Sequence, residues 1–422
     1  MARVPRPRVV IVSAFVPHDR APHAGGQYLK ALCDLVAETA DLTLLAANTE
    51  ANKVAATSEG APPGTVLVGR EFGGGVLGSV LARATLALDP VLRRRDQGMA
   101  FLPFAVGMWT SKAVRRAIRE ADVVDLQWQD AIRFAPLVRR INPRARLVGM
   151  FHDVQSQSFS REALPGHQDE EYWRVQAARA RGLERRLAPN LDVVAAFSQK
   201  DLALLGDPPH GLVIRPPIAL RPPGRGGDVD RPTDNTSSGC ASFRVLCVSY
   251  LARFENDDGV RWLFKDIWPH VLSNLPNAQL RIAGAGADSA LTHLAAATPG
   301  VELLGYVDDL EPEYRGADVV VVPLRFGAGV KFKTLDALVR GVPVVTTAVG
   351  AEGIGDDGHP DAELFAHVGD QPEAFAEALV AIAHDTGAAR QRAAAARDWA
   401  INTFGHAAFR KAVHTAYGWD RP

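Results

Sequence analysis

The sequence has little cysteine, no excess of either charge and no long apolar run. Its three cysteines, Cys33, Cys240 and Cys247, are scattered, odd in number and form no CxxC pair. That argues against a disulfide framework and points to a reducing compartment. The 47 basic residues nearly balance the 48 acidic ones, leaving a net charge of −1, so no general attraction to nucleic acid follows. No stretch is apolar for long enough to cross a bilayer. The start, MARVPRPRVVIVSAFVPHDR, imitates a signal peptide. Its apolar run is short, however, and His18, Asp19 and Arg20 follow at once, so it reads as a first buried strand. The expected location is the cytoplasm, with peripheral contact at the inner face of a membrane left open.

What is present fits a globular protein, with 47% hydrophobic and 23% charged residues. A chain of 422 residues exceeds one ordinary core, so two or more domains are expected. In the first half, RVVIVSAF and DLTLLAA read as strands with the helix GGQYLKALCDLVAE between them. DVVDLQW, ARLVGMFHD and DVVAAFS read as later strands. Residues 72–110 break this rhythm, holding GGG, an apolar run and then Arg93, Arg94 and Arg95, and read as a mobile amphipathic insertion, either solvated or facing a membrane. Near 216 the composition turns rich in Pro, Gly, Asp and Ser, as a linker does. The rhythm then restarts with FRVLCVSYL, AQLRIAG, VELLGYV, ADVVVVP and GVPVVTT. The fold class is α/β: two Rossmann-like, doubly wound domains facing across a cleft. The expected bounds are 1–216, a linker at 217–242, a second domain at 243–395, and a helix at 396–422 that returns to the first domain.

GAGVKFKT (327–334) follows a buried-strand pattern and opens a short helix with Phe332, Leu335, Leu338 and Val339 on one stripe. Gly341 and Pro343 stop it. Lys331 and Lys333 thus fall in a first turn, where backbone dipoles already place about half a positive charge and favour acids. Three chemistries use such glycine loops. A P-loop needs a glycine where Phe332 stands, and no strand ending in a Walker-B aspartate follows. A dinucleotide fold is offered by AGAGADSA after LRIAG, but Ser289 occupies its close-packing position, and a tight turn explains the stretch equally well. A nucleoside diphosphate is the third. Its oxygens would accept backbone N–H bonds and pair with the lysines, so a bound anion reverses the penalty on cations there. The plain alternative leaves both lysines in water.

The segment PLRFGAGVKFKTLDALVRGVPVVTTAVGAEGI resembles the donor-binding signature of GT-B glycosyltransferases, in particular the retaining family 4 (the glycosyl transferases group 1). That family's pattern is roughly GxGxKxKxxEAxxxGxPVVxTxxGxEG. YLARFENDDGVRWLFKDIWPHV resembles the opening of the family's second domain, with Asn256, Asp258, Gly259 and Trp262 in place. VELLGYVDDLEPEYRGADVVVVPL resembles the segment that wraps the nucleobase. The resemblance is strong over 243–420. Over 1–215 it is weak, resting on Gly25 and Gly26 as an acceptor-side loop.

The resemblance implies a GT-B fold and transfer of a sugar from a nucleoside-diphosphate sugar to an acceptor hydroxyl, with retention. Lys331 and Lys333 would hold the diphosphate in the turn of Gly327 and Gly329, with Lys331 helping the leaving group depart. Asp336 would bind ribose, where the family carries a glutamate. Tyr306 and Val307 would meet the base, Gly350 and Glu352 would line the donor pocket, and Arg253 would touch a phosphate or stay solvated. His152 would face the donor sugar, with Asp153 beside it on the acceptor side. A histidine–aspartate cap at a strand end is the alternative there. Ala328 stands where relatives carry the first glutamate of an E-x7-E pair, so sugar recognition must differ. The only DxD, Asp228 and Asp230, lies in the linker, and no Cys/His cluster has ligand spacing, so neither a metal nor another cofactor is expected. The expected partners are the nucleotide-sugar donor and a glycan, lipid-linked or small-molecule acceptor, and no nucleic acid. A UDP-sugar 2-epimerase, a non-catalytic sugar-nucleotide binder and an NAD enzyme are the rival readings.

Overall fold

The computed structural model describes residues 6–21, 24–69, 76–164, 169–218, 242–355 and 363–420. The linker expected at 217–242 falls mostly outside them, as do Asp228, Asp230 and Cys240. The chain divides into two compact units. Residues 1–217 and 407–422 make the first, and residues 218–406 make the second.

The first unit is a seven-stranded sheet: β1 (Arg8–Ser13), β2 (Asp41–Ala47), β3 (Thr65–Val68), β4 (Val123–Gln127), β5 (Arg146–Phe151), β6 (Val193–Ala196) and β7 (Gly211–Val213). Their order is 3-2-1-4-5-6-7, and every neighbouring pair is parallel. Helices cover both faces of such a sheet, so its inner strands are mostly apolar, as VVAA in β6 is, with Asp125 and Gln127 of β4 as polar exceptions. The order reverses direction between β1 and β4, which makes their carboxyl ends the switch point. Residues after 407 return to this unit. Arg146 Nε donates to Ala416 O at 2.5 Å, and Arg410 pairs with Glu38 at 2.7 Å.

The second unit repeats the plan with β8 (Arg244–Val248), β9 (Gln279–Ala283), β10 (Val301–Gly305), β11 (Val319–Val322), β12 (Val344–Thr346) and β13 (His367–Val368). The order is 10-9-8-11-12-13, again all parallel, with the switch between β8 and β11. The expected bound at 396 falls inside the helix Thr386–Phe404, whose Ala389, Ala393, Ala396 and Ala400 are buried within this unit. The helix packs on the helix Phe332–Val339.

Three strands escape sequence reading: β3, β7 and β13. All are edge strands of two to four residues and only partly buried, so none shows a continuous apolar run. The insertion at 72–110 resolves, over its described part, into two helices, Val76–Arg95 and Leu102–Thr110. Gly25 and Gly26 lie in the first turn of the helix Ala24–Thr39.

Candidate functional site

In the second unit the site grows from the loop after β11. Gly327 (φ +108°) and Gly329 (φ +72°) take backbone conformations that disfavour a side chain. They turn the chain into the helix Phe332–Val339. Lys331 is the N-cap residue, and no side chain caps the helix. Leu335, Leu338 and Val339 are buried as the stripe predicts, while Phe332 is only half-buried. Gly341 (φ +66°) ends the helix. Its N–H reaches Leu338 O at 2.9 Å, and the N–H of Val342 reaches Ala337 O at 3.2 Å.

Neither lysine points into open water. Lys333 crosses to the switch point, where Nζ donates to Ser249 Oγ at 2.9 Å and Asn256 Oδ1 at 2.7 Å. Both partners are neutral, and burial pushes the Lys333 ammonium down to about 8 from its ordinary 10.5. Lys331 instead folds back on its own loop. Its Nζ donates to Ala328 O at 2.9 Å and Gly329 O at 2.6 Å, and lies 3.8 Å from the buried carboxylate of Glu352. The two lysines are therefore electrostatically unlike, since only Lys331 has a carboxylate at ion-pair distance.

The residues that resemble the opening of a family 4 second domain have physical roles here. Asn256 Nδ2 donates to Tyr250 O at 2.7 Å and presents its oxygen to Lys333. Asp258 takes both arms of Arg325, at 2.9 and 2.5 Å, and the guanidinium lies 5.6 Å from the Trp262 ring centre. A Cβ on Gly259 would overlap Pro323 O, so only glycine lets the helix Phe254–Trp262 lie against the loop after β11. Likewise a Cβ on Gly284 would overlap Ser249 O. The glycines of AGAGADSA thus serve close backbone approach to the loop that carries Ser249.

Other expected donor residues take varied places. Arg253 stands at the N-cap position of the helix Phe254–Trp262, without a side-chain cap, and pairs with Glu255. Tyr306 is 75% exposed at the end of β10, and Val307 beside it is half-buried. Asp336 pairs with Arg340 at 3.1 Å, and burial raises its carboxyl pKa against the pull of that arginine. Gly350 serves the sheet: a Cβ there would overlap Thr346 Oγ1 and Val322 O. Thr334 Oγ1 donates to Gly350 O at 2.8 Å, tying the lysine helix to the GAEG turn. Among the described residues no three His, Cys, Asp or Glu side chains converge as a metal set. A separate cavity of about 190 Å³, lined by Arg244, Gln279, Arg281 and Glu313, lies at the amino ends of β8 and β9.

In the first unit His152 directly follows β5 and is buried. Its ring stacks on Trp128 at 3.7 Å between centres, with Tyr28 and Phe197 edge-on at 4.9 Å each. Burial lowers its pKa well below the ordinary 6.5, so the imidazole is neutral. Gln127 Nε2 donates to Asp125 Oδ1 at 2.7 Å, which leaves Gln127 Oε1 to accept from His152 Nε2–H at 2.8 Å. The proton therefore sits on Nε2, and Nδ1 carries the lone pair. Tyr417 OH donates to Asp125 Oδ2 at 2.6 Å and completes the chain. Asp125 is pushed up to about 6 by burial, against these two hydrogen bonds. Trp128 adopts φ +68°, an outlier for a bulky residue. Sequence reasoning missed Asp125, Gln127 and Trp128. The signal was there, because a buried parallel strand that puts polar residues at positions two apart turns them to one face. Asp153 is half-buried beside His152.

Comparison with known proteins bears on the fold and on the second unit. The family profile described as Glycosyl transferases group 1 matches residues 242–385. An uncharacterized 44.6 kDa protein in the cps region of Klebsiella pneumoniae is 32% identical over 118 residues, 26% of this chain and 30% of that protein. The match thus spans less than a third of the curated relative. Among solved structures, Anabaena Alr3699/HepE in complex with UDP-glucose superposes with a TM-score of 0.63 at 14% identity, covering 98% of this chain and 99% of that one. Sucrose-phosphate synthase from Thermosynechococcus elongatus gives 0.62 at 15% identity, covering 98% and 99%. At such identities the likeness speaks for the fold, two Rossmann-like units of the GT-B kind. Residues 242–385, in the second unit, are thus similar to the glycosyl transferases group 1, and the chain as a whole shares the GT-B fold.

Proposed function

We propose that the protein is a glycosyltransferase that moves a sugar from a nucleoside-diphosphate sugar to an acceptor hydroxyl, with retention and without a metal. One observation carries the reading. Lys333 holds an ammonium at the switch point against two neutral oxygens, beside an uncapped helix start and a glycine turn. A cation kept there at a cost in its own pKa suits an anion that arrives later. The solved relative with UDP-glucose bound supports a diphosphate as that anion.

When the bond to the sugar breaks, negative charge collects on the leaving diphosphate. Lys333 and the N–H groups of the helix start stabilise that charge more than they stabilise the intact donor, which lowers the barrier. Lys331, held by Glu352 and two carbonyls, shapes the glycine turn and adds a second positive charge. Tyr306 and Val307 offer a surface for the base, and Asp336 a carboxylate for ribose once Arg340 shares it. His152 is the proposed sugar-facing group of the first unit, its neutral Nδ1 accepting a hydroxyl proton in a hydrogen bond. The free, buried thiols of Cys33 and Cys247 favour a reducing, cytoplasmic setting.

A thermal-shift screen against UDP-, GDP-, dTDP- and ADP-sugars tests the reading, because only a ligand that binds the folded state raises the melting temperature. One donor class should stand out, and Lys333→Met should remove its shift. Donor turnover with added acceptors then separates transfer from binding alone. Release of nucleoside diphosphate with no acceptor would favour an epimerase, and no shift with any nucleotide sugar would refute the proposal.

A further inference from the structure

The helix Val76–Arg95 is built inside out for a helix that meets only water. Its one carboxylate, Asp89, is 8% exposed, accepts from Leu102 N–H at 2.7 Å and pairs with Arg93 at 3.1 Å. At about 100° per residue the opposite face carries Val80, Ala84, Ala87, Leu88 and Val91. All five are exposed; Val80, Leu88 and Val91 are 54%, 52% and 55% open to solvent. Arg83, Arg94 and Arg95 flank that stripe and are exposed too. An ordinary surface helix does the reverse, with apolar residues inside and mixed charges outside.

The charge around it is one-sided as well. Residues 76–120 hold eight Lys and Arg against three acids, in a chain whose net charge is −1. All three acids are taken by arginine: Asp89 by Arg93, Asp96 by Arg133, and Glu120 by Arg8 and Arg116. No carboxylate faces outward from the helix to make it self-complementary. A second copy laid on this face would set arginine against arginine. An anionic lipid surface neutralises the arginines and accepts the apolar side chains at its headgroup boundary.

We infer that the outer face of helix Val76–Arg95 docks the protein on an anionic lipid bilayer surface, with Leu88 and Val91 entering the headgroup boundary and Arg83, Arg94 and Arg95 pairing with lipid phosphates. The inference does not depend on glycosyl transfer, and its test reads binding alone. The full chain is floated with vesicles of phosphatidylcholine, with or without about 30% phosphatidylglycerol. The wild type should float with the anionic vesicles at least about tenfold better than with the neutral ones, and lose that advantage at high salt. Leu88→Ser with Val91→Ser keeps every charge, and Arg94→Gln with Arg95→Gln keeps every apolar group. Each pair should cut binding about tenfold while leaving the melting midpoint unchanged. No flotation of the wild type at low salt, equal flotation with neutral vesicles, or flotation unaffected by both pairs overturns the proposal. So does a dimer in solution that the Leu88/Val91 pair abolishes without any vesicle binding.

Discussion

Lys333 supplies the most exacting test, because its charge should depend on whether the site is filled. In the empty protein burial pushes its ammonium down to about 8. A diphosphate placed against it would restore the ordinary value near 10.5. Binding above neutral pH must then draw a proton from solution. The uptake equals the fraction of Lys333 that is neutral beforehand: roughly a tenth of a proton at pH 7, about half at pH 8 and about nine-tenths at pH 9. Affinity for the nucleotide should fall about tenfold per pH unit above 8, and about thirty-fold between pH 7 and pH 9.5, near 2 kcal/mol. The ligand does not blur this, since its last phosphate proton leaves near pH ~6. Calorimetry in buffers of different ionisation enthalpy reads the uptake directly. Uptake below about 0.2 of a proton at pH 9 would refute the reasoning, as would the same uptake in Lys333→Met.

The linkage has a second face in stability. Lys333 is a base whose folded pKa lies below its unfolded one, so between pH 8 and about 10.5 the unfolded chain holds the proton that the folded chain gives up. Over that window the empty protein gains stability as pH rises. Below pH 8 both states are charged and the full penalty remains. Lys333→Met should therefore stabilise the empty protein at pH 7, by up to about 3 kcal/mol before the loss of its two hydrogen bonds is counted. It should remove nucleotide binding at the same time.

Three further outcomes are expected. Lys331→Ala should keep the pH break near 8 in any residual binding and lower the urea midpoint of the second unit, because it removes the ammonium beside Glu352 and its two hydrogen bonds to the carbonyls of Ala328 and Gly329; the break should vanish only if Lys331, not Lys333, is the titrating group. Gln127→Leu should leave the Nε2–H of His152 without its acceptor and cost about 1–3 kcal/mol. Nitrogen NMR of His152 should then lose the single Nε2–H tautomer seen in the wild type, and an unchanged spectrum would show that the hydrogen-bond chain does not set it. Gly350→Ala should cost about 1–3 kcal/mol in chemical denaturation by forcing Thr346 and Val322 apart, and a neutral result would mean the GAEG turn yields.

The sequence is most legible where burial is complete. β11 is VVVV and nothing else fits it, whereas β13 is two half-buried residues at an edge with no pattern to read. The site divides in the same way. The glycine turn, the two lysines and the end of the helix at Gly341 are local and were readable from spacing. Where the lysines go was not, because Ser249 and Asn256 lie 84 and 77 residues away from Lys333 in sequence and meet it only through the crossover from β8 to β11. Tyr417 is 292 residues from the Asp125 it holds. Gly350 was readable as a letter of a motif, but its reason, contact with the sheet beneath, appears only when β11 and β12 are paired.

That distance dependence explains why two lysines of one motif do different work. Spacing puts both in the first turn and treats them as a pair. The fold gives Lys331 a carboxylate and two carbonyls within its own loop and the GAEG turn, all within 21 residues of it in sequence. It sends Lys333 the other way, to hydrogen-bond partners that are both neutral. A compensated lysine changes the net charge of a site little, because Glu352 offsets it; an uncompensated one sets that charge. In the proposed donor site the attraction for a diphosphate would therefore rest mainly on Lys333, and the rigidity of the cradle on Lys331. The same division accounts for Ala328. Lys331 grips that residue through its backbone carbonyl, so the hold on the loop does not depend on the side chain that stands there, and in the proposed donor site the missing glutamate would alter sugar recognition without removing Lys331 from the turn.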